Sequence, residues 1–167
     1  MGQLESPDVT TQKKVTLFTD GACIGNPGPG GWACLLRFGS HTGEMFGCDP
    51  DSTNNRMELQ AVIEGLKALR EVCAVTICTD SRYVQRGVTE WLASWKANGW
   101  RKSKSSRGTR SVLNQELWLE LDKLIAPHTV GWHWVMGHAG DADNIRCDFL
   151  ANRAAREQIT SNGVIRL

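Results

Sequence analysis

The chain has 167 residues, 41% of them hydrophobic and 22% charged, with a formal net charge of +1. That is long enough to bury a core within one domain, and the composition is that of a globular protein, which excludes disordered, fibrous and disulfide-stapled classes. No apolar run nears the ~20 residues of a membrane-crossing helix, and Met1–Lys14 is polar with no signal-peptide core, so the sequence predicts a cytoplasmic protein that makes no membrane contact and opens with a flexible tail over 1–14.

Residues 15–20, Val-Thr-Leu-Phe-Thr-Asp, read as a first strand. Gly25-Asn26-Pro27-Gly28-Pro29-Gly30-Gly31 is a turn-rich loop that cannot continue it. Residues 32–38 and 42–48 predict a hairpin around Gly39-Ser40-His41. Thr53-Asn54-Asn55 supplies N-cap chemistry for a helix from Met57 to Arg70, whose apolar residues at 59, 62, 63, 66 and 69 follow the helical period. Residues 74–79 form a fourth strand. Short helices cover 81–87 and 89–97, and Lys102–Ser111 is an exposed, basic loop. Val112–Ile125 is an amphipathic helix closed by Pro127, Thr129–Met136 a fifth strand, and Asn144–Ile159 a final, alanine-rich helix. Strands one, four and five connect through helices, which favours parallel pairing, while strands one to three connect through short loops, which favours a meander. The expected fold is α/β, a mixed five-stranded sheet with helices on its faces. It forms a single domain over 15–160, with a basic protrusion at about 90–111 and a C-terminal tail over 161–167. Nothing in the chain points beyond a monomer.

The six cysteines, at 23, 34, 48, 73, 78 and 147, show no Cys-x-x-Cys spacing and read as reduced, mostly buried thiols.

Four carboxylates stand out because each lies in a segment that otherwise reads as buried, where a lone anion is costly. Asp20 ends the apolar run Val15-Thr16-Leu17-Phe18-Thr19 and Asp80 ends its near-copy Val75-Thr76-Ile77-Cys78-Thr79, so that Leu17-Phe18-Thr19-Asp20-Gly21 is repeated as Ile77-Cys78-Thr79-Asp80-Ser81. If these strands are parallel neighbours, the two aspartates meet at the C-terminal edge of the sheet, where open α/β sheets place their sites. Glu58 shares a helical face with Val62, Gly65 and Leu66, and Asp148 lies beside Ala151 and Ala155, so both point inward. Each has a plain structural alternative. Asp20 or Asp80 alone fits a turn, Asp80 is also placed to cap a helix starting near Arg82, Glu58 fits a first helical turn, and Asp148 could pair with Arg146 or Arg153. Together the four demand a shared counter-charge. Oxygen donors with no Cys/His cluster suit Mg²⁺ or Mn²⁺ better than zinc, and such a set can hold two ions about 4 Å apart for in-line phosphodiester chemistry.

From Trp91 to Gln115 there are six basic residues and no acidic one, leaving 13 basic against 18 acidic residues elsewhere. In this stretch Trp91, Trp95 and Trp100 interleave with Lys96, Arg101 and Lys102. Aromatic faces pack on sugar or base while cations track phosphates, which predicts nucleic-acid binding; at helical spacing Trp91 and Trp95 also fit a core. The Gly25–Gly31 loop matches neither the dinucleotide nor the Walker pattern. It would bring backbone N–H groups and Asn26 near the carboxylates. His138, in Met136-Gly137-His138-Ala139-Gly140, is a candidate proton shuttle on a glycine-flanked loop.

Taken together these strings resemble the bacterial type 1 ribonuclease H family. The carrying residues are Thr19-Asp20-Gly21-Ala22-Cys23 with the Gly25–Gly31 loop, Thr53-Asn54-Asn55-Arg56-Met57-Glu58-Leu59, Thr79-Asp80-Ser81-Arg82-Tyr83-Val84, Gly137-His138-Ala139-Gly140 and Arg146-Cys147-Asp148-Phe149-Leu150-Ala151. They run in the family's order over roughly residues 15–155. The resemblance implies the sheet order 3-2-1-4-5. It also implies endonucleolytic hydrolysis of the RNA strand of RNA/DNA hybrids, without strong sequence specificity, leaving 3′-hydroxyl and 5′-phosphate ends. By the same resemblance Asp20, Glu58, Asp80 and Asp148 hold two Mg²⁺ ions, with Mn²⁺ as a substitute and Asp20 bridging, and His138 assists proton transfer or product release. Cys23, Gly25, Asn26, Asn54, Asn55 and Glu58 match positions that sense 2′-hydroxyls in the minor groove. Thr53 and Asn26 match a DNA-phosphate contact, and Trp91, Trp95 and the basic loop match a protrusion that grips the DNA strand. Two departures are Arg82, where bacterial relatives often carry glutamine, and Ile145, where they often carry glutamate; Arg82 either adds a phosphate contact or disturbs minor-groove hydrogen bonds, and Ile145 removes an acidic residue that bears on metal affinity. A catalytically silent hybrid-binding module would not need the full carboxylate set. A DNA-cutting relative of the fold would lack the Thr53-Asn54-Asn55 string and the tryptophan-bearing protrusion.

Overall fold

Apolar and β-branched residues in the first half of the chain build a sheet whose central strands are buried on both faces. The computed structural model describes residues 11–105, 108–136 and 140–161, with backbone only over 102–105 and 108–111. The elements in chain order are β1 (Lys13–Cys23), β2 (Gly28–Phe38), β3 (His41–Ser52), α1 (Asn54–Lys67), β4 (Cys73–Thr79), α2 (Arg82–Arg86), α3 (Leu92–Ala97), β5 (Arg101–Ser105), β6 (Gly108–Ser111), α4 (Gln115–Ile125), β7 (Thr129–Trp134) and α5 (Ala142–Glu157). The main sheet has the order β3-β2-β1-β4-β7, which is the expected 3-2-1-4-5 counted along its own strands. The first three strands pair antiparallel, and β4 pairs parallel with β1 and with β7.

The strand-end repeat is the register of the central pair. Lys13 lies opposite Cys73, Leu17 opposite Ile77 and Phe18 opposite Cys78. Carried two residues further, the same offset sets Asp20 beside Asp80. Strand alternation then sorts the core. Leu17, Leu36 and Ile77 face α1 and α4, whose Leu59, Ile63 and fully buried Trp118 meet them. Phe18, Leu35 and Cys78 face α5 through Cys147, Leu150, Ala151 and Ala155.

Two glycines let the helices approach this closely. A Cβ on Gly31 would lie 2.2 Å from the Ala151 carbonyl oxygen and 2.4 Å from the Ala155 nitrogen, so α5 rests directly on β2. A Cβ on Gly21 would lie 2.4 Å from the Glu58 nitrogen, so the first turns of α1 rest on β1.

Several expected boundaries move. Asp20 does not end β1, because β2 starts at Gly28 and its glycines pair onward with Ala22 and Cys23. The basic stretch expected as a loop carries the two-stranded β5–β6 ladder, with Arg101 opposite Ser111; its Ser, Lys, Arg and Thr residues lack the apolar alternation that marks a strand. The two short helices expected at 81–87 and 89–97 join through a wide π-type turn over Gly87–Trp91, where a Cβ on Gly87 would meet the Trp118 ring at 1.9 Å. The helix expected from Val112 begins at Gln115, since Asn114 is left-handed at φ 57° and cannot lie within it. β7 stops at Trp134, and α5 starts at Ala142 because Asp141 caps it by accepting from the Asp143 and Asn144 backbone N–H groups. All six cysteines are free, and burial pushes the Cys34 thiol up to about 12, which keeps it inert. Among the described residues no helix is long and apolar enough to cross a membrane.

Gly31→Ala should force α5 off the sheet and cost about 1–3 kcal/mol, the usual range for overpacking. A thermal melt reads it, and an unchanged midpoint would mean that α5 is not held by this backbone contact.

Candidate functional site

Three of the four sequence-predicted carboxylates meet at one end of the central strands. Asp20 extends β1 beyond its ladder with β4, Asp80 directly follows β4, and Glu58 comes down from α1 onto Gly21. One oxygen from each lies within 4.8 Å of the others. Asp20 and Glu58 are only 9% and 5% exposed, while Asp80 is more open. The alternatives for Asp80 and Glu58 do not hold. Ser81 caps α2 in place of Asp80, its Oγ accepting from the Val84 N–H at 3.2 Å. Glu58 lies beyond the first turn of α1, on a face with buried Val62, Gly65 and Leu66.

Asp148 is half-buried on α5 and lies outside this group of three. Its charge still reaches Asp20 and raises that group's pKa. It pairs with neither expected arginine, because Arg146 binds Glu44 and Arg153 binds Glu157. Asn152 Nδ2 donates to its carbonyl and carboxylate oxygens at 2.9 and 3.0 Å. His138 falls outside the described residues.

The cluster is electrostatically costly as bare protein. Burial, and then the Asp80 charge, push the Asp20 carboxyl up to about 7, against the backbone N–H of Gly21, which donates to it at 2.8 Å and pulls it down. Burial, followed by the charges of Asp20 and Asp80, holds Glu58 well above the usual carboxylate range. Glu58 Oε2 is buried with no hydrogen-bond partner. An orphaned carboxylate oxygen among mutually repelling anions fits a bound cation, and an all-oxygen donor set fits a hard one such as Mg²⁺ or Mn²⁺.

Several other expected residues gather beside this cluster. Thr53 caps α1, its Oγ1 accepting from the Arg56 N–H at 3.3 Å. Asn26 Oδ1 accepts from the Asn54 N–H at 3.0 Å, tying the glycine loop to the start of α1. The Cys23 thiol donates to the Gly28 and Ser52 carbonyls at 3.4 Å, and Gly25 turns the loop at φ 79°. Asn55 is exposed at the same helix end. Arg82 is exposed two residues from Asp80.

On the far side of α2 the tryptophans are partly packed on the core and partly open to an apolar recess. Trp95 lies 5.7 Å from Trp91, 6.1 Å from Trp100 and 5.4 Å from core Trp118 between ring centroids, so the set is partly structural. Its outer side, with Tyr83, Trp91, Trp95 and Leu113, opens as an apolar recess of about 350 Å³. Lys96 pairs with Asp122 at 3.2 Å, Arg101 is exposed, and the Lys102 side chain lies outside the described residues.

Sequence reading missed the polar chain that joins these two areas. Arg56 donates to Asn114 Oδ1 at 3.1 Å, Asn114 Nδ2 donates to the Tyr83 hydroxyl at 3.1 Å, and Trp118 Nε1 donates to that hydroxyl at 3.0 Å. It links the start of α1 to the aromatic cluster. Its members are scattered along the chain, and a single tyrosine offered no signal.

The family model described as RNase H matches residues 12–156. The chain is 56% identical over 145 residues to a protein named Ribonuclease H from Halorhodospira halophila, covering 87% of this chain and 95% of the relative. It is 55% identical over 143 residues to Ribonuclease HI of Neisseria meningitidis serogroup B, covering 86% and 96%. Among solved structures it is similar to LC9-RNase H1, a type 1 RNase H with the type 2 active-site motif, at TM-score 0.81 and 34% identity over 93% of this chain and 78% of that one. LC11-RNase H1, solved in complex with RNA/DNA hybrid, shares the fold at TM-score 0.63 and 21% identity, covering 86% of this chain and 97% of that one.

In the metal-free protein the raised Asp20 pKa makes the folded state bind protons more tightly than the unfolded state between the group's ordinary value and about 7. Stability from this group is therefore fully present at low pH, falls as pH rises through that window and is lost above it, at about 1.4 kcal/mol per pKa unit. Asp20→Asn should raise the melting temperature in chelator at about pH 8 by several degrees and flatten its decline between about pH 5 and pH 8. An equally steep decline in the variant would place the penalty elsewhere.

Proposed function

This chain belongs to the ribonuclease H family, bacterial type 1, and we propose that it hydrolyses the RNA strand of RNA/DNA hybrids as a metal-dependent endonuclease with little sequence preference, leaving 3′-hydroxyl and 5′-phosphate ends. The observation that carries this reading is the buried Asp20–Glu58–Asp80 cluster with its orphaned Glu58 oxygen. The charges of Asp80 and Asp148 both reach Asp20, and Glu58 shares a hydrogen bond with it, which suits Asp20 to hold both ions. Asp148, held by Asn152, would complete the set from the rim. Asp20, Glu58, Asp80 and Asp148 would hold two Mg²⁺ or Mn²⁺ ions, which would supply a water of lowered pKa and counter-charge for the leaving 3′-oxygen.

The protein's own groups do the rest. The carboxylates act as ligands and not as nucleophiles, and the backbone contact at Gly21 fixes Glu58 relative to Asp20. His138, which follows β7 in the sequence, would carry a proton to or from the reacting oxygens. Cys23, Gly25, Asn26, Asn54 and Asn55 present polar groups on the α1 side of the cluster, where 2′-hydroxyls would mark the RNA strand; hybrids are recognised by shape and sugar, not by base edges. Thr53 and Asn26 suit a phosphate of the DNA strand. The recess between Trp91 and Trp95 would pack on that strand's sugars while Lys96, Arg101 and Lys102 meet its phosphates, with Trp100 supporting Trp95.

A labelled RNA strand, offered alone, in RNA/RNA and in RNA/DNA, with Mg²⁺ or chelator, tests the activity: cutting should occur only in the hybrid and only with metal. Asp20→Asn should abolish cutting and retain hybrid binding, so near-normal turnover in that variant would remove the metal assignment. Neutralising Lys96, Arg101 and Lys102 together should lower the slope of log affinity against log salt by about 2–3; an unchanged slope would show that the protrusion meets no phosphates.

A further inference from the structure

A second recess, of about 680 Å³, opens from the carboxylate cluster on the side of α2 away from the aromatic recess. Asp80 forms its inner end, Arg82, Gln85 and Arg86 one wall, and Trp134 and Met136 the other. Three features make it a built groove. Arg82 is exposed and has no ion pair or hydrogen bond among the described residues, although Asp80 is two residues away, so a cation stands uncommitted at the mouth of an anionic site. Arg86 follows one turn later on the same wall. Its guanidinium lies over the Trp91 ring at 4.9 Å and is steadied by Glu90 at 3.1 Å, which holds the charge at the crest of α2 between the two recesses. On the opposite wall Trp134 stacks on Trp132 at 5.3 Å with the planes 8° apart, and Trp132 packs against the core. That fixes an aromatic face in the groove, and Met136 stands 89% exposed just beyond it.

We propose that this groove, with Arg86 and Trp134 as its principal contacts, is an additional subsite for the RNA strand that takes the nucleotides flanking the cleavage point on one side. The inference rests on the hybrid-cleaving reading above. Arginines one helical turn apart can meet neighbouring phosphates, and a rigid aromatic wall offers a surface for a sugar or a base in any sequence. α2 then acts as a divider. Its Tyr83 side turns to the recess proposed for the DNA strand, and its Arg82–Gln85–Arg86 side turns to the RNA strand. A duplex straddling α2 is held by both strands, and the groove sets how many RNA nucleotides beyond the cut contribute to affinity.

The test is equilibrium binding, read by fluorescence anisotropy in chelator so that nothing is cut. The hybrids carry a chimeric strand with one short ribonucleotide block, shortened stepwise from either end. For the wild type, extension on one side of the block should tighten binding by about tenfold, the scale of one charge-assisted contact, and extension on the other side should add less. In Arg86→Gln that gain should fall toward one and the salt slope by about 1. Trp134→Leu, which keeps an apolar side chain beside Trp132, should lose part of the gain with no change in salt slope. A wild type that gains equally on both sides or on neither, or an Arg86→Gln protein that keeps the full gain, overturns the subsite. Absence of hydrolysis in the separate metal assay would count against the activity and not against the groove.

Discussion

Everything in this structure turns on keeping three carboxylates together where they repel. Charges a few ångströms apart in a partly desolvated site oppose one another by several kcal/mol. The protein does not relieve this by pairing them with arginine or lysine. Such cations are near: Arg82 lies two residues from Asp80 and Arg146 two residues from Asp148, yet Arg146 is spent on Glu44. What opposes the repulsion is stiffness. Asp20 and Asp80 leave adjacent parallel strands in fixed register, and Glu58 is held against Gly21 by direct backbone packing. Separating the three would mean breaking the ladder or lifting α1. The unspent repulsion is then available as affinity for a cation, and a neutral substitute at Asp20 trades that affinity for stability.

This explains which parts of the site were legible in the sequence. The Leu-Phe-Thr-Asp and Ile-Cys-Thr-Asp strings are a written copy of the ladder, so the Asp20–Asp80 pairing is legible in the sequence alone. Helical phase was enough to turn Glu58 inward. Phase alone could not give distance: Asp148, half-buried on α5, lies outside the group of three, yet its charge reaches Asp20. The contacts that set the distances involve glycines at 21 and 31, where what matters is a missing atom, and a missing atom has no periodicity. The Arg56–Asn114–Tyr83–Trp118 chain was invisible for a related reason: each residue is ordinary in its own segment, and only the fold brings them together.

The basic region shows the opposite case. Its charge was plain and its conformation was not. Strand signals come from alternation of apolar and polar residues, and 101–111 has almost none, so the β5–β6 ladder stands on backbone pairing. The tryptophans before it carried two readings that looked like rivals, core or ligand surface. They are not exclusive for a side chain as large as tryptophan, which can seal a core with one edge and present the other. Trp95 touches core Trp118 and also lines the open recess.

The same economy applies to α2. Five residues long, it is too short to be stable by itself, and the Gly87–Trp91 turn locks it down onto Trp118. Once locked, its two sides face different recesses while its N-terminal neighbour Asp80 belongs to the carboxylate cluster. A short segment with one surface in each of three places couples them mechanically. Any shift of α2 that opened the aromatic recess would also move Arg82, Arg86 and the backbone that carries Asp80. Under the proposed function, recognition of one strand and placement of a metal ligand for the other would therefore be properties of one rigid turn, and a duplex engaged on both sides of α2 would be presented to the carboxylates in a single orientation.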